Sequence, residues 1–124
     1  MDLSNFTILY VENVRRSIDF YLPLFEREPA QISDGFALFV SESGAKFGLW
    51  AKHDVTPKIQ GRAAGAMEVV LEVSNVITLQ INHTKWRELG VNIIQEPIEL
   101  DFGTSFTAED PDGHRLRVFC YEKS

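Results

Sequence analysis

One cysteine, Cys120, is all the chain has, so no internal disulfide can close, and its place on the apolar side of an expected strand marks a buried, inert thiol. Basic charge is scarce too. Twelve Lys and Arg against 18 Asp and Glu leave a net charge of −6, and no basic cluster opposes it, which argues against a nucleic-acid surface and for neutral or cationic partners. No apolar run reaches membrane-spanning length, and the N-terminus lacks a basic region followed by an apolar stretch. The expectation is therefore a cytoplasmic protein with neither nucleic acid nor membrane as partner. Gly-rich phosphate loops, a Gly-x-Ser-x-Gly elbow and a Cys/His pair in an obvious context are missing. The three histidines, His53, His83 and His114, show no i, i+4 spacing that would put two imidazoles on one helical face. His53 belongs to a loop, His83 to the packed stripe of a helix and His114 to a turn.

What remains is a chain of 124 residues, 44% hydrophobic and 24% charged, the balance and size of one globular unit. Its most definite stretch runs from Phe106 to Tyr121 and reads as a β-hairpin. Pro111 presets φ at the first central position of the turn, Asp112 can bond its own backbone, and Gly113 accepts the positive φ needed to re-enter a strand. Leu116, Val118 and Cys120 then fall on one face of the last strand, and Arg115, Arg117, Phe119 and Tyr121 on the other.

In chain order, Leu3 to Val11 alternates as a strand, with Phe6, Ile8 and Tyr10 sharing one face. Asn13 is a fitting N-cap for a helix whose apolar stripe is Val14, Ile18, Tyr21 and Phe25, and whose regular length Pro23 should limit. Three short strands follow, near 28–33, 35–40 and 45–52. The stretch 53–65 carries Pro57, Gly61 and Gly65 without periodicity and reads as a linking loop. The second half repeats the first. Glu68 to Val76 lies on Phe6 to Val14 at a constant offset, and Leu, Val, Asn and Val coincide. A second helical stripe, Val76, Leu79, His83, Trp86 and Leu89, ends at Gly90 as a C′ residue. Strands near 91–100, 103–109 and 114–122 complete a second βαβββ unit. The first module thus spans 1–52 and the second 66–124, both within one α+β domain.

This tandem repeat, with Val14-Arg15-Arg16-Ser17-Ile18-Asp19-Phe20-Tyr21 in the first helix and Asp110-Pro111-Asp112-Gly113 before the last strand, resembles the glyoxalase / bleomycin-resistance / dioxygenase (vicinal oxygen chelate) superfamily along essentially the whole chain. The resemblance implies curved mixed sheets around a cavity, helices on the outer faces, and a homodimer. It does not choose an activity, because metalloenzymes and metal-free drug-binding proteins share the scaffold.

The enzymatic members hold a divalent metal with four side chains, and the resemblance places those positions at Phe6, Gly48, Glu68 and Arg117. A phenyl ring and a glycine offer no lone pair, and a guanidinium cannot lose its proton to make one. Arg117 would also repel the ion. Only Glu68 could coordinate, so no metal and no cofactor is expected. Glu68 and Arg117 either neutralise one another or meet a ligand, since either charge alone would be costly to bury.

Strand parity, carried onto the resemblance, turns Phe6, Ile8, Tyr10, Lys46, Gly48, Trp50, Glu68, Val70, Glu72, Phe106, Arg115, Arg117, Phe119 and Tyr121 toward the cavity. Gly48 beside Trp50 would leave room for a ring to slide against the sheet. Of these, Phe6, Ile8, Tyr10, Gly48, Trp50, Glu68, Phe106, Arg117 and Phe119 are the expected ligand-binding residues, with no catalytic residue among them. A lining of this kind suits a small planar aromatic ligand. The resemblance therefore points to a metal-independent protein that sequesters an antibiotic of the bleomycin or phenazine kind or a similar metabolite. The alternative is a metal-dependent glyoxalase-like lyase or dioxygenase built on Glu68, which leaves enzymatic action open. A metal-independent isomerase or a metabolite sensor is a third possibility.

Overall fold

The structure, a computed structural model, describes residues 1–61 and 64–122. Positions 62 and 63 of the expected linking loop and 123 and 124 at the chain's end lie outside them. The chain divides into two units, Met1–Arg62 and Ala63–Ser124. Both are α+β, and each is a helix packed on one face of a four-stranded mixed sheet.

The first unit runs β1 (Phe6–Val11), α1 (Val14–Phe25), β2 (Gln31–Ile32), β3 (Phe36–Val40) and β4 (Lys46–Ala51), with sheet order β1-β4-β3-β2 and β1 parallel to β4. A 3-10 turn at Lys52–Asp54 begins what the sequence suggests is loop. Asn13 caps α1 as expected, its side-chain oxygen accepting from Arg16 N at 2.9 Å. Pro23 does not end the helix. Its missing N–H frees only the carbonyl of Asp19, an exposed residue, and α1 continues to Phe25 before Glu26 turns left-handed at φ 52°. Val14, Ile18 and Tyr21 of α1 are buried against Leu9, Val11, Ala37, Phe39 and Leu49 of the sheet. Tyr21 and Phe25 add ring contacts to Phe47 and Phe39 at 4.9 to 5.3 Å.

The second unit repeats this topology: β5 (Glu68–Glu72), α2 (Val76–Glu88), β6 (Asn92–Leu100), β7 (Gly103–Glu109) and β8 (Arg115–Cys120), in the order β5-β8-β7-β6. The repeat extends to the caps. Asn75, the counterpart of Asn13, accepts from Thr78 N at 2.8 Å. Gly90, at φ 81°, closes α2 through bonds from Gly90 N to Arg87 O and from Val91 N to Trp86 O, the reciprocal pair of a Schellman motif. Leu79 and Trp86 are buried, whereas Leu89, expected on the same stripe, is exposed, because it is already the C-cap.

The hairpin between β7 and β8 forms where expected, and a residue not singled out for it takes part. The Asp110 carboxylate also bonds the backbone of the turn, accepting from Asp112 N at 2.9 Å and His114 N at 2.8 Å. Gly113 supplies φ 91°. Cys120 is buried and unpaired by any disulfide, as expected. Among the described residues no helix is long and apolar enough to cross a membrane.

Candidate functional site

Each sheet has one face under its helix and one turned away from it, and the open faces carry the chemistry. In the first unit the register sets Phe6 beside Lys46, Ile8 beside Gly48, and Tyr10 beside Trp50, which in turn pairs with Phe36. Phe6, Ile8 and Tyr10 are each about two-fifths exposed. Tyr10 and Phe36 both meet the Trp50 indole edge-on, at 6.4 and 6.3 Å between centroids. The Lys46 ammonium lies 5.9 Å from the centre of the Phe6 ring. The space above Gly48 is not free, contrary to the sequence-based expectation. A Cβ there would sit 2.9 Å from the tip of the Phe36 ring and 3.3 Å from the Phe6 ring, so rings already cover the glycine and a larger residue would have to push them aside. Phe36 was the residue missed, and its alternation with Ala37 and Phe39, which are buried under α1, is the period-two signal that could have found it.

In the second unit the register lays Val70, Arg117, Thr107 and Gln95 in one row across all four strands, and Glu72, Phe119, Ser105 and Ile98 in the next. A groove of about 480 Å³ opens on this face, lined by Glu68, Val70, Gln95, Leu100, Phe102, Arg117, Phe119 and Tyr121. Its rim is aromatic. Phe119 packs against Phe102 at 5.6 Å and Tyr121 at 4.8 Å, and both of those rings are well exposed. Phe106 corrects the expected lining. It pairs with Val118, is fully buried, and meets His83 and Trp86 of α2 edge-on at 5.2 and 5.4 Å. An odd step from Ser105 and Thr107 puts it on the helix face, where it belongs to the core.

Polar groups of the groove form one network. Arg117 donates from Nε to Glu68 Oε1 at 2.7 Å and from Nη2 to Oε2 at 3.2 Å, a bidentate pair. Its Nη1 donates to Ser105 Oγ at 2.9 Å and Gln95 Oε1 at 3.3 Å. The hydrogen bond from Arg117, ahead of its charge, holds the Glu68 carboxyl below its ordinary value, against a partial opposing effect of burial. Thr107 Oγ1 also donates to Gln95 Oε1, at 3.2 Å.

The four positions that the resemblance gives to a metal are occupied as follows. Phe6 contributes a ring edge, Gly48 lies beneath two rings, and Arg117 claims both oxygens of the one carboxylate. Among the described residues no group of three or more His, Cys, Asp or Glu side chains gathers to hold an ion. The histidines are engaged elsewhere. His83 Nε2 meets Glu96 Oε1 at 3.1 Å beside the Arg87–Glu96 ion pair, and His53 meets Glu12 at 3.4 Å. Lys52 lies 2.5 Å from the same carboxylate, and its hydrogen bond, followed by that of His53, lowers the Glu12 pKa. Glu12 borders a smaller hollow at the start of α1, about 260 Å³, with Asn13, Arg15 and Asp34.

Comparison with known proteins places this geometry. The profile of the Glyoxalase/Bleomycin resistance protein/Dioxygenase superfamily matches residues 4–118. The phenazine antibiotic resistance protein EhpR of Enterobacter agglomerans is 31% identical over 115 residues, spanning 92% of this chain and 88% of its own. A protein of Agrobacterium tumefaciens solved in solution by NMR is 40% identical over 98% of both chains and superposes with a TM-score of 0.87. A glyoxalase-related enzyme from Fulvimarina pelagi is only 14% identical but covers 97% of this chain and 88% of its own at a TM-score of 0.83, a likeness of fold.

Proposed function

Because the chain belongs to the glyoxalase/bleomycin resistance protein/dioxygenase superfamily, we propose that it binds and sequesters a planar aromatic small molecule, an antibiotic of the phenazine kind or a metabolite of that shape, without a metal. The observation that carries this reading is the groove on the open face of β5 to β8. Exposed aromatic rings rim it, and its one carboxylate at a family ligand position is engaged through both oxygens by Arg117. A metal would have to displace a guanidinium and then find three further donors among side chains that lack them. A flat ligand needs only ring surface and a few directional polar contacts. The likeness to a phenazine resistance protein supports an antibiotic-resistance-like member of the family.

The proposed assembly is a homodimer in the cytoplasm. Each sheet ends in two edge strands, β1 and β2 in one and β5 and β6 in the other, and unpaired edges are commonly covered by a partner. Light scattering is expected to give twice the chain mass of 14.1 kDa.

Calorimetric titration with phenazine and with bleomycin tests the binding reading. Saturable binding of at least one supports it, and heat from neither overturns it. Elemental analysis of the same dialysed preparation is expected to find no stoichiometric Ni, Zn, Fe or Mn. A stoichiometric ion would favour the lyase or dioxygenase alternative.

A further inference from the structure

Gln95 is the groove residue whose side chain is half spoken for. Its oxygen accepts twice, from Arg117 Nη1 and Thr107 Oγ1, and that fixes the orientation of the amide. Turned the other way, the amide nitrogen would point its hydrogens at a guanidinium that can only donate. Among the described residues the NH₂ group is therefore the free end, and Gln95 borders the groove. The backbone singles it out as well. Gln95 is in register with Thr107 between two register shifts, one from Ile93 and one toward Ile98. Irregularities of this kind re-aim a side chain at the margin of a sheet, and Pro97 is tolerated beside them because β6 is an edge strand.

Next to this donor the charges cancel. Arg117 donates from Nε, Nη1 and Nη2 to protein acceptors, and Glu68 neutralises it, so an anionic ligand gains no unbalanced cation there. We infer that Gln95 is the specificity-determining residue of the groove, and that the ligand is an uncharged planar aromatic whose ring nitrogen or carbonyl accepts a hydrogen bond from the Gln95 amide. This inference rests on the sequestration reading and narrows it. A site that offers a donor to the ligand discriminates against the analogue lacking the acceptor, because the donor is then left unpaired.

Equilibrium dialysis of phenazine, which has two ring nitrogens, against anthracene, its all-carbon counterpart, tests it. Gln95→Glu keeps the acceptor that Arg117 and Thr107 use but loses the donor. It is expected to weaken phenazine at least tenfold and leave anthracene unchanged, and the unchanged anthracene value shows that the groove is intact. Gln95→Leu serves the same purpose should the first variant not fold, with the same expected result. Phenazine binding equal in parent and variant, or a parent that prefers anthracene, overturns the role of Gln95 while leaving sequestration standing. A parent that binds neither compound overturns the inference, and overturns sequestration as well when calorimetry finds no bleomycin binding.

Discussion

Replacing Glu68 by Gln removes the carboxylate that holds Arg117, and the structure bounds the cost. The two side chains are 32% and 23% exposed, so the pair is neither a surface contact, worth about 0.2 to 1 kcal/mol, nor a sealed one, whose disruption costs about 3 to 5 kcal/mol. Two charge-assisted bonds in part-hydrated surroundings place the loss for Glu68→Gln at about 1 to 2 kcal/mol. Arg117→Met is expected to cost about as much or slightly more, roughly 2 kcal/mol, since Ser105 and Gln95 lose a donor as well. The double variant should lose about 1 kcal/mol less than the two singles summed. Urea unfolding with constant m-values measures all four proteins. The pH dependence gives an independent check. Glu68 titrates lower in the folded chain than its ordinary value of 4.5, so near that pH the unfolded chain binds more protons and stability rises with pH. The contribution is fully present above about 4.5 and is lost as pH falls through the lower folded value. The gap between parent and Glu68→Gln should therefore narrow on acidification. Additive singles, or a gap that widens in acid, would refute the pairing.

Three further outcomes are expected. Phe102→Leu, which removes an exposed ring from the rim of the groove, should weaken phenazine binding roughly tenfold, the ratio of about a 1.4 kcal/mol loss, and calorimetry showing unchanged affinity would place the stacking wall elsewhere. Gly48→Ala should destabilise by about 1 to 3 kcal/mol through overpacking against the Phe36 ring, and a Phe36→Leu background should relieve most of that in thermal melts. Asp110→Ala should cost roughly 2 kcal/mol in urea unfolding, because a side chain only 4% exposed loses two backbone donors; a neutral result would mean that Pro111 and Gly113 hold the turn unaided.

The repeat was legible because it is written twice in the same elements. Helix stripes, strand alternation and the Asn13 cap are local signals, and the constant offset sets Asn75, which the structure shows as the second cap, in the place of Asn13. Leu116, Val118 and Cys120 fell on the buried face because β8 is regular. Phe106 was misplaced because parity must be carried into β7 from a partner strand, and only register shows that Ser105 and Thr107, not Phe106, stand beside Arg117 and Phe119. Gln95 was illegible for a related reason. Register shifts on both sides of it break the alternation from which a face is read. Pro23 lies inside α1, which ends two residues later at Phe25, and the one hydrogen bond it forgoes at an exposed turn is outweighed by the burial of Tyr21 and the ring contacts of Phe25.

The rings over Gly48 bear on the speed of encounter. Phe36 stands where a flat guest would have to lie to reach the backbone of β4, so at that spot the protein is its own first occupant. A guest that merely stacks on the outer ring of Trp50 can arrive at a rate that climbs steadily with its concentration. One that settles against Gly48 must wait for Phe36 to swing aside, and its arrival rate will level off at the frequency of that swing.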